Sequence, residues 1–352
     1  MKAVVKTQGG PGNIEIKDVP IPEIGDDDVL MEVKAACLCG SDVGFALGHN
    51  SVLKPPVILG HEFSGIVSKV GKNVKAWKQG DRVVSDNTGT VCGKCYACAT
   101  ADFLACPERL GLGYGMDGGF AKYVKILGDT LKVFPGSLIM IPDDMSFEEA
   151  ALMDPACNGY RAVIQEGKLM PGEDVAVFGA GALGQFAVQA ARAGGAARII
   201  VIGLKNDKER FELAKKNGAT DFIYADKEDP VAKVKEITDG EGVALVVDCA
   251  GANAIIGQAV EIVRIAGTVV RVGYDARPLE KSLDDLVNRA VRLIGHFGYD
   301  WVCWRNVMKL WKAGKFSLDS IITHRMKISQ FNEAIEMLQK LEAVKIVLYP
   351  ED

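Results

Sequence analysis

Hydrophobic residues in the first 155 or so positions come in short runs separated by glycine, proline and aspartate. The runs VLMEVKAA, FSGIVSKVG and GDRVVS are rich in valine and isoleucine, as strands are. This pattern predicts an N-terminal unit built mostly of β-strands.

From about Ala162 the pattern changes to apolar strands separated by helical stretches. In order, the segments are DVAVFGAG, ALGQFAVQAARAGG, RIIVIG, KERFELAKKNGA, ALVVDCAG, AIIGQAVEIVRIAG and TVVRVGY. Strands that alternate with helices of this length predict βαβ units and a parallel sheet. After about Gly295, the helix WRNVMKLWKAGKF leads into a strand, a helix and a last strand, HRMKISQFNEAIEMLQKLEAVKIVLYP.

At 352 residues the chain exceeds one ordinary hydrophobic core, so two domains are expected. Hydrophobic residues make up 48% and charged residues 25%, as in soluble globular proteins. The formal net charge is −5 and both signs are interspersed, so the chain has no basic stripe to neutralise phosphates. We therefore expect no nucleic-acid partner.

The N-terminal segment MKAVVKTQGGPGN lacks the apolar core and cleavage site of a signal peptide. The longest stretch without charged side chains, residues 175–191, is shorter than a membrane span and contains two glutamines and several glycines. Nine cysteines without an export signal indicate a reducing compartment, where clustered thiols are more often metal ligands than disulfides. These features predict a cytoplasmic protein with no membrane partner.

The clearest motif is VCGKCYACATADFLAC, which spaces four cysteines as C-x2-C-x2-C-x7-C. Four thiolates in a glycine-punctuated loop can close tetrahedrally around zinc and leave no position open, as structural sites do. An iron–sulfur cluster is the alternative, because a proline follows the last cysteine, although the last interval differs from the ferredoxin spacing. We predict a structural zinc held by Cys92, Cys95, Cys98 and Cys106.

A second motif is VAVFGAGALGQFAVQAA, in which G-x-G-x-x-G follows a strand and opens a helix. Small residues there let a pyrophosphate approach the helix N-terminus. A glycine-rich turn in an unrelated α/β unit would look similar, but the second strand RIIVIG lies at the right distance. We predict a dinucleotide site formed by Gly179, Gly181, Ala182, Leu183 and Gly184.

The end of the second strand usually carries an acid that binds the adenosine ribose. Gly203 takes this place here, and LKNDKER follows it. Lys205 would meet a 2′-phosphate and favour NADP, whereas Asp207 would bind the ribose from a longer loop and favour NAD. A solvated charged face is the third interpretation, and the acid within reach gives a slight preference for NAD.

A third group of residues is scattered: Cys39 in CGSD, His61 and Glu62 in GHEF, and Asp154 in MDPA. A catalytic zinc needs about three protein ligands and one open position, and a thiolate, an imidazole and a carboxylate would supply them. Each residue also has a purely structural interpretation. Cys39 could be a core residue, and His61 could be an interior histidine held by a hydrogen bond. Glu62 could be a surface charge, and Asp154 could cap a helix.

Together these segments resemble the zinc-dependent medium-chain alcohol dehydrogenases over nearly the whole chain. CGSD, LGHEFSGIV, VGKNVKAWKQGDRV, the four-cysteine lobe, GAGALG and IITHRMKI occur in the order found in that family. The resemblance implies an α/β plus β fold, in which a Rossmann domain (159–294) is inserted into a GroES-like catalytic domain (1–158 and 295–352). It also implies two zinc ions per subunit, NAD or NADP, and a homo-oligomer, either a tetramer or a dimer.

Residue by residue, the resemblance places Cys39, His61 and Asp154 at catalytic-zinc ligand positions and Glu62 at a neighbouring or alternating ligand position. Ser41 matches the hydroxyl that takes the proton of the alcohol. The remaining matches are cofactor positions: Val272 and Gly273 facing the nicotinamide, and Lys345 near the pyrophosphate, or else a surface charge.

An acid before Pro155 resembles the sorbitol-type polyol and threonine dehydrogenases. A histidine often stands three residues after the catalytic serine, where this chain has Gly44, so the proton must leave through water, the cofactor ribose or His49. Threonine dehydrogenases carry a histidine where this chain has Gly89. We therefore expect a polyol or related secondary alcohol, with threonine or another amino alcohol as the alternative and a nucleotide-sensing or scaffold protein as the non-enzyme alternative.

Overall fold

In the computed structural model, the described residues are 1–49, 52–275, 277–279 and 282–351. The chain divides into two compact units, the first formed by Met1–Asp154 with Ile322–Asp352 and the second by Pro155–Ile321. The first boundary lies close to the predicted one. The second lies at Ile322 rather than at residue 295.

The N-terminal part of the first unit is rich in strands, as predicted. Its elements are β1 (Lys2–Lys6), β2 (Ile14–Asp18), β3 (Val29–Cys37), α1 (Gly40–Leu47), β4 (Val57–Ile58), β5 (Glu62–Val70), β6 (Arg82–Ser85), β7 (Thr88–Thr90), α2 (Tyr96–Ala99), β8 (Leu110–Gly111), β9 (Tyr123–Ile126), α3 (Gly128–Val133), β10 (Leu138–Met140) and α4 (Phe147–Ala151). Helix α5 (Met153–Tyr160) follows across the first boundary.

The second unit alternates strands and helices. Its elements are β11 (Asp174–Phe178), α6 (Ala182–Ala193), β12 (Arg198–Gly203), α7 (Lys208–Asn217), β13 (Asp221–Tyr224), α8 (Pro230–Ile237), β14 (Val243–Asp248), α9 (Asn253–Ile262), β15 (Val263–Arg271), α10 (Asp284–Asn288), β16 (Arg292–Gly295) and α11 (Trp301–Lys312). The chain then returns to the first unit with β17 (Ile322–Lys327), α12 (Phe331–Gln339) and β18 (Lys345–Tyr349).

The main sheet of the first unit runs β10-β6-β5-β3-β18-β17, and β9 also pairs with β3. A three-stranded sheet, β2-β1-β4, and the pair β7-β8 complete the strands of this unit. The C-terminal strand β18 lies between β3 and β17, so the tail forms part of the interior of this sheet. Valine, methionine and phenylalanine side chains of β3 and β5 fill the core, which explains their apolar runs.

The sheet of the second unit is parallel, with the order β13-β12-β11-β14-β15-β16. In chain order this is 3-2-1-4-5-6, the arrangement of doubly wound dinucleotide-binding sheets. Strand β14 is buried along its whole length, as expected of a strand covered on both faces. The change in strand order at β11 and β14 creates the crevice in which such sheets bind ligands.

The second boundary differs from the predicted one because segments beyond residue 295 remain part of the second unit. Helix α11 buries Trp304 and is capped by Asp300, whose carboxylate accepts hydrogen bonds from the Cys303 N–H and from Gln165. Asn306 donates to the Tyr160 hydroxyl at 3.0 Å. The helical pattern of this segment was visible in the sequence, but these long-range partners were not.

Among the described residues, no helix is both long enough and apolar enough to cross a membrane.

Candidate active site

Three of the predicted zinc ligands form one cluster in the first unit. The donor atoms of Cys39, His61 and Glu62 all lie within 4.8 Å of one another. The antiparallel register of β3 and β5 pairs Cys37 with Glu62, so residues just after β3 and just before β5 meet at one end of the strand pair. Residues more than twenty positions apart in sequence are thereby brought to one point.

The donor set of this cluster fits zinc. A thiolate, an imidazole and a carboxylate are all zinc ligands, and three of them leave a fourth tetrahedral position for a small molecule. Burial favours the neutral Cys39 thiol, but the hydrogen bond and charge of His61 outweigh it and lower the pKa of Cys39 to about 6. The sulfur is therefore available as a thiolate near neutral pH, as metal binding requires.

Two residues of the first turn of α1 hold the histidine of the cluster. Ser41 Oγ lies 3.2 Å from His61 Nε2, and Asp42 Oδ1 lies 3.6 Å from His61 Nδ1. The other Asp42 oxygen accepts the Cys39 N–H at 2.9 Å. Asp42 was not predicted as a functional residue, although it was visible as the acid of CGSD; it orients the imidazole in the way that carboxylates commonly orient metal-bound histidines.

Glu62 is paired with Lys345 inside the first unit. Glu62 Oε2 lies 2.5 Å from Lys345 Nζ, and both side chains are almost fully buried. Burial raises the pKa of Glu62 to about 8, and the charge of Lys345 opposes that shift. Lys345 is therefore not a surface charge; its suggested role at the pyrophosphate stays a prediction.

Asp154 does not belong to the three-residue cluster. It lies in the first turn of α5, is 6% exposed, and accepts a 2.6 Å hydrogen bond from Asn87 Nδ2. Among the described residues, the carboxylate whose oxygen lies with the thiol and imidazole is that of Glu62. A direct ligand role for Asp154 is therefore not what this geometry favours.

The four predicted lobe cysteines form a second cluster, with all four sulfurs within 4.8 Å of one another. The Cys92 and Cys98 sulfurs are 4.0 Å apart, close to the edge of about 3.8 Å expected for a tetrahedral zinc–thiolate site. Backbone N–H groups point at the sulfurs, as when the Cys95 N–H donates to Cys92 Sγ at 3.4 Å. Such backbone hydrogen bonds, of which the one from Lys94 has the largest effect, lower the pKa of Cys92 to about 7. A lowered pKa suits a thiolate ligand.

The glycine motif lies between β11 and α6 in the second unit. Gly179 has a φ of +92°, which a side chain rarely permits, and Gly181 caps α6. A Cβ on Gly181 would meet no atom within 4 Å, whereas one on Gly184 would lie 1.9 Å from the Gly179 carbonyl oxygen. The first and third glycines therefore serve the turn and the packing, and Gly181 with the following Ala182 and Leu183 opens the helix toward free space.

We expect Gly184→Ala and Gly181→Ala to differ in their effects on stability and on dinucleotide binding. Alanine at 184 must push α6 away from β11, which should lower stability by about 2 kcal/mol and weaken dinucleotide binding with it. Alanine at 181 should leave the thermal midpoint unchanged but raise the dinucleotide Kd about tenfold, because its methyl group occupies the approach of the phosphates. Thermal melts and fluorescence titration with reduced dinucleotide test both; equal stability losses would contradict this assignment.

The candidate ribose site lies at the end of β12, where a Cβ on Gly203 would approach Asp207 Oδ2 at 2.8 Å. Asp207 is buried; its Oδ2 accepts the Leu204 N–H at 2.9 Å and its Oδ1 lies 3.3 Å from Arg210 Nη1. Both carboxylate oxygens are thus engaged within the protein. Lys205 is exposed, and its backbone N–H donates to Asp226.

Val272 and Gly273 follow β15 at the carboxyl edge of the sheet. Both N–H groups donate to the Asp248 carbonyl, and a Cβ on Gly273 would lie 2.5 Å from Gly251 Cα. Two loops therefore touch at this edge with no room for a side chain. Such sheets bind ligands at the carboxyl ends of their strands, and the expectation that this backbone faces the nicotinamide stays a prediction.

This fold and these sites define a class, the metal-binding oxidoreductases that use a dinucleotide. Two family models match the chain: the alcohol dehydrogenase GroES-like domain over residues 25–135 and the zinc-binding dehydrogenase domain over residues 182–313. YdjL of Escherichia coli K12, an uncharacterized zinc-type alcohol dehydrogenase-like protein, is 41% identical over 99% of this chain and 98% of its own. The chain belongs to the zinc-type alcohol dehydrogenase family and is an enzyme.

Other relatives carry names of defined activity. A sorbitol dehydrogenase of Halalkalibacterium halodurans is 34% identical over the full length of both chains, and an L-threonine 3-dehydrogenase of Bacillus licheniformis is 37% identical over 99% of both. The structure of 2R,3R-butanediol dehydrogenase from Bacillus subtilis superposes with a TM-score of 0.88, at 30% identity and 99% coverage of both chains. A zinc-binding dehydrogenase of Sinorhizobium meliloti 1021 bound to NADP gives a TM-score of 0.88 at 29% identity and 99% coverage of both. The predicted GroES-like and Rossmann fold and the recognised family are confirmed.

Proposed function

We propose that this enzyme transfers a hydride between a secondary alcohol, most suitably a polyol or sugar alcohol, and a nicotinamide dinucleotide, with two zinc ions per subunit. The observation that carries the proposal is the cluster of Cys39, His61 and Glu62 with the Ser41 hydroxyl beside the imidazole. A zinc ion bound there supplies the Lewis acidity that lowers the pKa of an alcohol, and the nicotinamide supplies the hydride acceptor.

The chain's own residues divide the remaining work. Cys39, His61 and Glu62 would hold the metal, and Asp42 keeps the imidazole oriented. Ser41 Oγ would accept the proton of the substrate hydroxyl, a role supported by its 3.2 Å contact with the imidazole nitrogen of the same cluster. The Lys345 ammonium neutralises the buried Glu62 carboxylate.

This proton needs another route onward, because Gly44 stands where a relay histidine often follows the catalytic serine. A Cβ on Gly44 would meet nothing within 4 Å, so the position offers room for water. His49 is exposed, and its backbone N–H donates to the Gly44 carbonyl at 2.9 Å. Water, the cofactor ribose and His49 remain the three candidate routes.

The threonine alternative is disfavoured by the packing around Gly89. A Cβ there would lie 2.6 Å from the Leu110 carbonyl oxygen and 2.8 Å from Met116 Sδ. The histidine that threonine dehydrogenases carry at the matching position would need these neighbours to move. The 37% identity to an L-threonine 3-dehydrogenase keeps this amino alcohol in the test.

The slight preference for NAD depends on Asp207 as a ribose acceptor. Because both of its carboxylate oxygens are engaged and Lys205 is exposed two residues beyond β12, we propose NADP as the better cofactor.

A substrate panel run with both cofactors tests the proposal. Initial rates with sorbitol, xylitol, 2,3-butanediol and L-threonine should favour a polyol or diol, with a higher kcat/KM for NADP than for NAD. Lys205→Ala should remove the NADP advantage and leave the NAD rate unchanged, while a zinc count should give two ions per subunit. A clear preference for threonine or for NAD would overturn the corresponding part of the proposal.

We also propose a homo-oligomer, a dimer or a tetramer. Light scattering coupled to size-exclusion chromatography measures the assembly mass directly, and a monomer would contradict this proposal.

A further inference from the structure

A chain of polar contacts leads away from the last lobe cysteine. Arg109 follows Cys106 by three residues, and its backbone N–H donates to the Cys106 carbonyl at 3.0 Å. The backbone of Arg109 is therefore fixed to the lobe itself. Its guanidinium donates to two residues outside the cysteine cluster, Asn87 and Tyr114.

The first branch passes through Asn87. Arg109 Nη2 donates to Asn87 Oδ1 and contacts the Asn87 carbonyl at 3.4 Å, while Asn87 Nδ2 donates to Asp154 Oδ2 at 2.6 Å. A flipped carboxamide would set its NH2 group against the guanidinium and its oxygen against the carboxylate. Both contacts would then be repulsive, so Arg109 determines that Asn87 donates to Asp154.

The second branch passes through Tyr114. Arg109 Nη1 donates to the Tyr114 hydroxyl, and the guanidinium carbon lies 5.5 Å from the centre of the tyrosine ring. The ring in turn packs edge-on against His61, with centroids 6.1 Å apart, and lies 6.0 Å from the Phe45 ring. One guanidinium thus holds an aromatic neighbour of a metal-ligand histidine in place.

We infer that Arg109 is a positioning residue of the active site, which links the four-cysteine lobe to His61 through Tyr114. The same guanidinium fixes the contact of Asn87 with Asp154, which lies outside the three-residue cluster. The lobe, on this account, does more than stabilise its own loop. The planar fork of arginine suits the task, because lysine cannot donate to the tyrosine hydroxyl and the carboxamide in one fixed geometry. The inference rests on the proposed function, since it assigns the residue to the alcohol-oxidising site.

Kinetics of Arg109→Met, with Arg109→Lys beside it, test the inference. We expect Arg109→Met to lower kcat/KM about thirtyfold at unchanged zinc content and unchanged dinucleotide Kd, with only partial recovery in Arg109→Lys. Tyr114→Phe, which removes the hydroxyl to which Arg109 donates, should lower kcat/KM in the same direction. Glu108→Gln is the matched control, because Glu108 is the exposed neighbour in the chain and should leave all values at those of the parent.

A double-mutant cycle separates positioning from general damage. Arg109→Met combined with Tyr114→Phe should be hardly worse than the more severe single variant, because both remove the contact between Arg109 and the Tyr114 hydroxyl. If the losses in kcat/KM of the two single variants multiplied in the double variant, the inference would be overturned. A normal kcat/KM in Arg109→Met, or loss of the lobe zinc from that variant, would also overturn it.

Cobalt(II) exchanged for zinc at the three-residue cluster gives a readout that does not depend on turnover. Its visible absorption should shift in Arg109→Met and not in Glu108→Gln, because the packing of Tyr114 against His61 changes. If the parent enzyme oxidised no alcohol but Arg109→Met still showed the absorption shift, only the proposed alcohol oxidation would be refuted. An unchanged spectrum would refute the role assigned to Arg109, whether or not the parent is active.

Discussion

We expect the replacement of Cys39 by serine to abolish turnover of every alcohol and to remove one zinc ion per subunit, while dinucleotide binding is retained. The thiolate is one of three donors that meet within 4.8 Å, and two ligands hold zinc much more weakly than three. Without the metal the alcohol keeps its ordinary pKa, so we expect kcat to fall by about a thousandfold or more. His61→Ala should give the same result. Steady-state kinetics, zinc analysis and fluorescence titration measure the three quantities.

Cys37→Ser is the matched control for this experiment. Cys37 lies two residues earlier and is fully buried at the end of β3, where burial raises its pKa well above the usual range. Such a thiol is inert and takes no part in the cluster, so its serine variant should keep both zinc ions and its kcat, at a modest cost in stability. Equal kinetic losses at the two cysteines, or full activity in Cys39→Ser, would contradict the site assignment.

The four-cysteine lobe and the glycine motif could be predicted from sequence because each is built from neighbouring residues. The C-x2-C-x2-C spacing keeps Cys92, Cys95 and Cys98 close together along the chain, and their sulfurs lie within 4.8 Å of one another. The choice between Glu62 and Asp154 as the metal-binding carboxylate could not be made from neighbouring residues. It depends on the β3–β5 register and on the contact of Asp154 with Asn87, which no local pattern encodes.

Lys345 and Asp207 show why charged residues were the hardest to assign. The sequence leaves Lys345 as either a cofactor-binding residue or a surface charge; β18 lies inside the main sheet, so its ammonium is buried against Glu62 and the surface alternative is excluded. The sequence offers Asp207 as a ribose acceptor, which stays a prediction; its carboxylate accepts the Leu204 N–H and pairs with Arg210 as the chain turns toward α7. A charged side chain takes the partner that the tertiary fold brings near, and its sequence neighbours do not reveal that partner.

The second large effect is expected at the lobe. Cys98 is buried and its sulfur lies 4.0 Å from that of Cys92, so Cys98→Ser removes an interior ligand of the four-thiolate site. Structural zinc contributes its binding energy to folding, and we expect the thermal midpoint to fall on the order of 10 °C, with one zinc ion lost per subunit. Calorimetry and zinc analysis measure these changes.

Cys249→Ser controls for the loss of a cysteine as such, because Cys249 lies in the second unit outside both sulfur-containing clusters found among the described residues. It should keep the zinc content of the parent. Cys98→Ser should also lower kcat/KM although no lobe residue belongs to the alcohol site, since Arg109 is anchored on the Cys106 carbonyl and a disordered lobe releases Asn87 and Tyr114. A Cys98→Ser enzyme that keeps the zinc content and the thermal midpoint of the parent would show that Cys98 is not a ligand of a structural zinc. Loss of the lobe zinc at full kcat/KM would instead separate the lobe from the reaction.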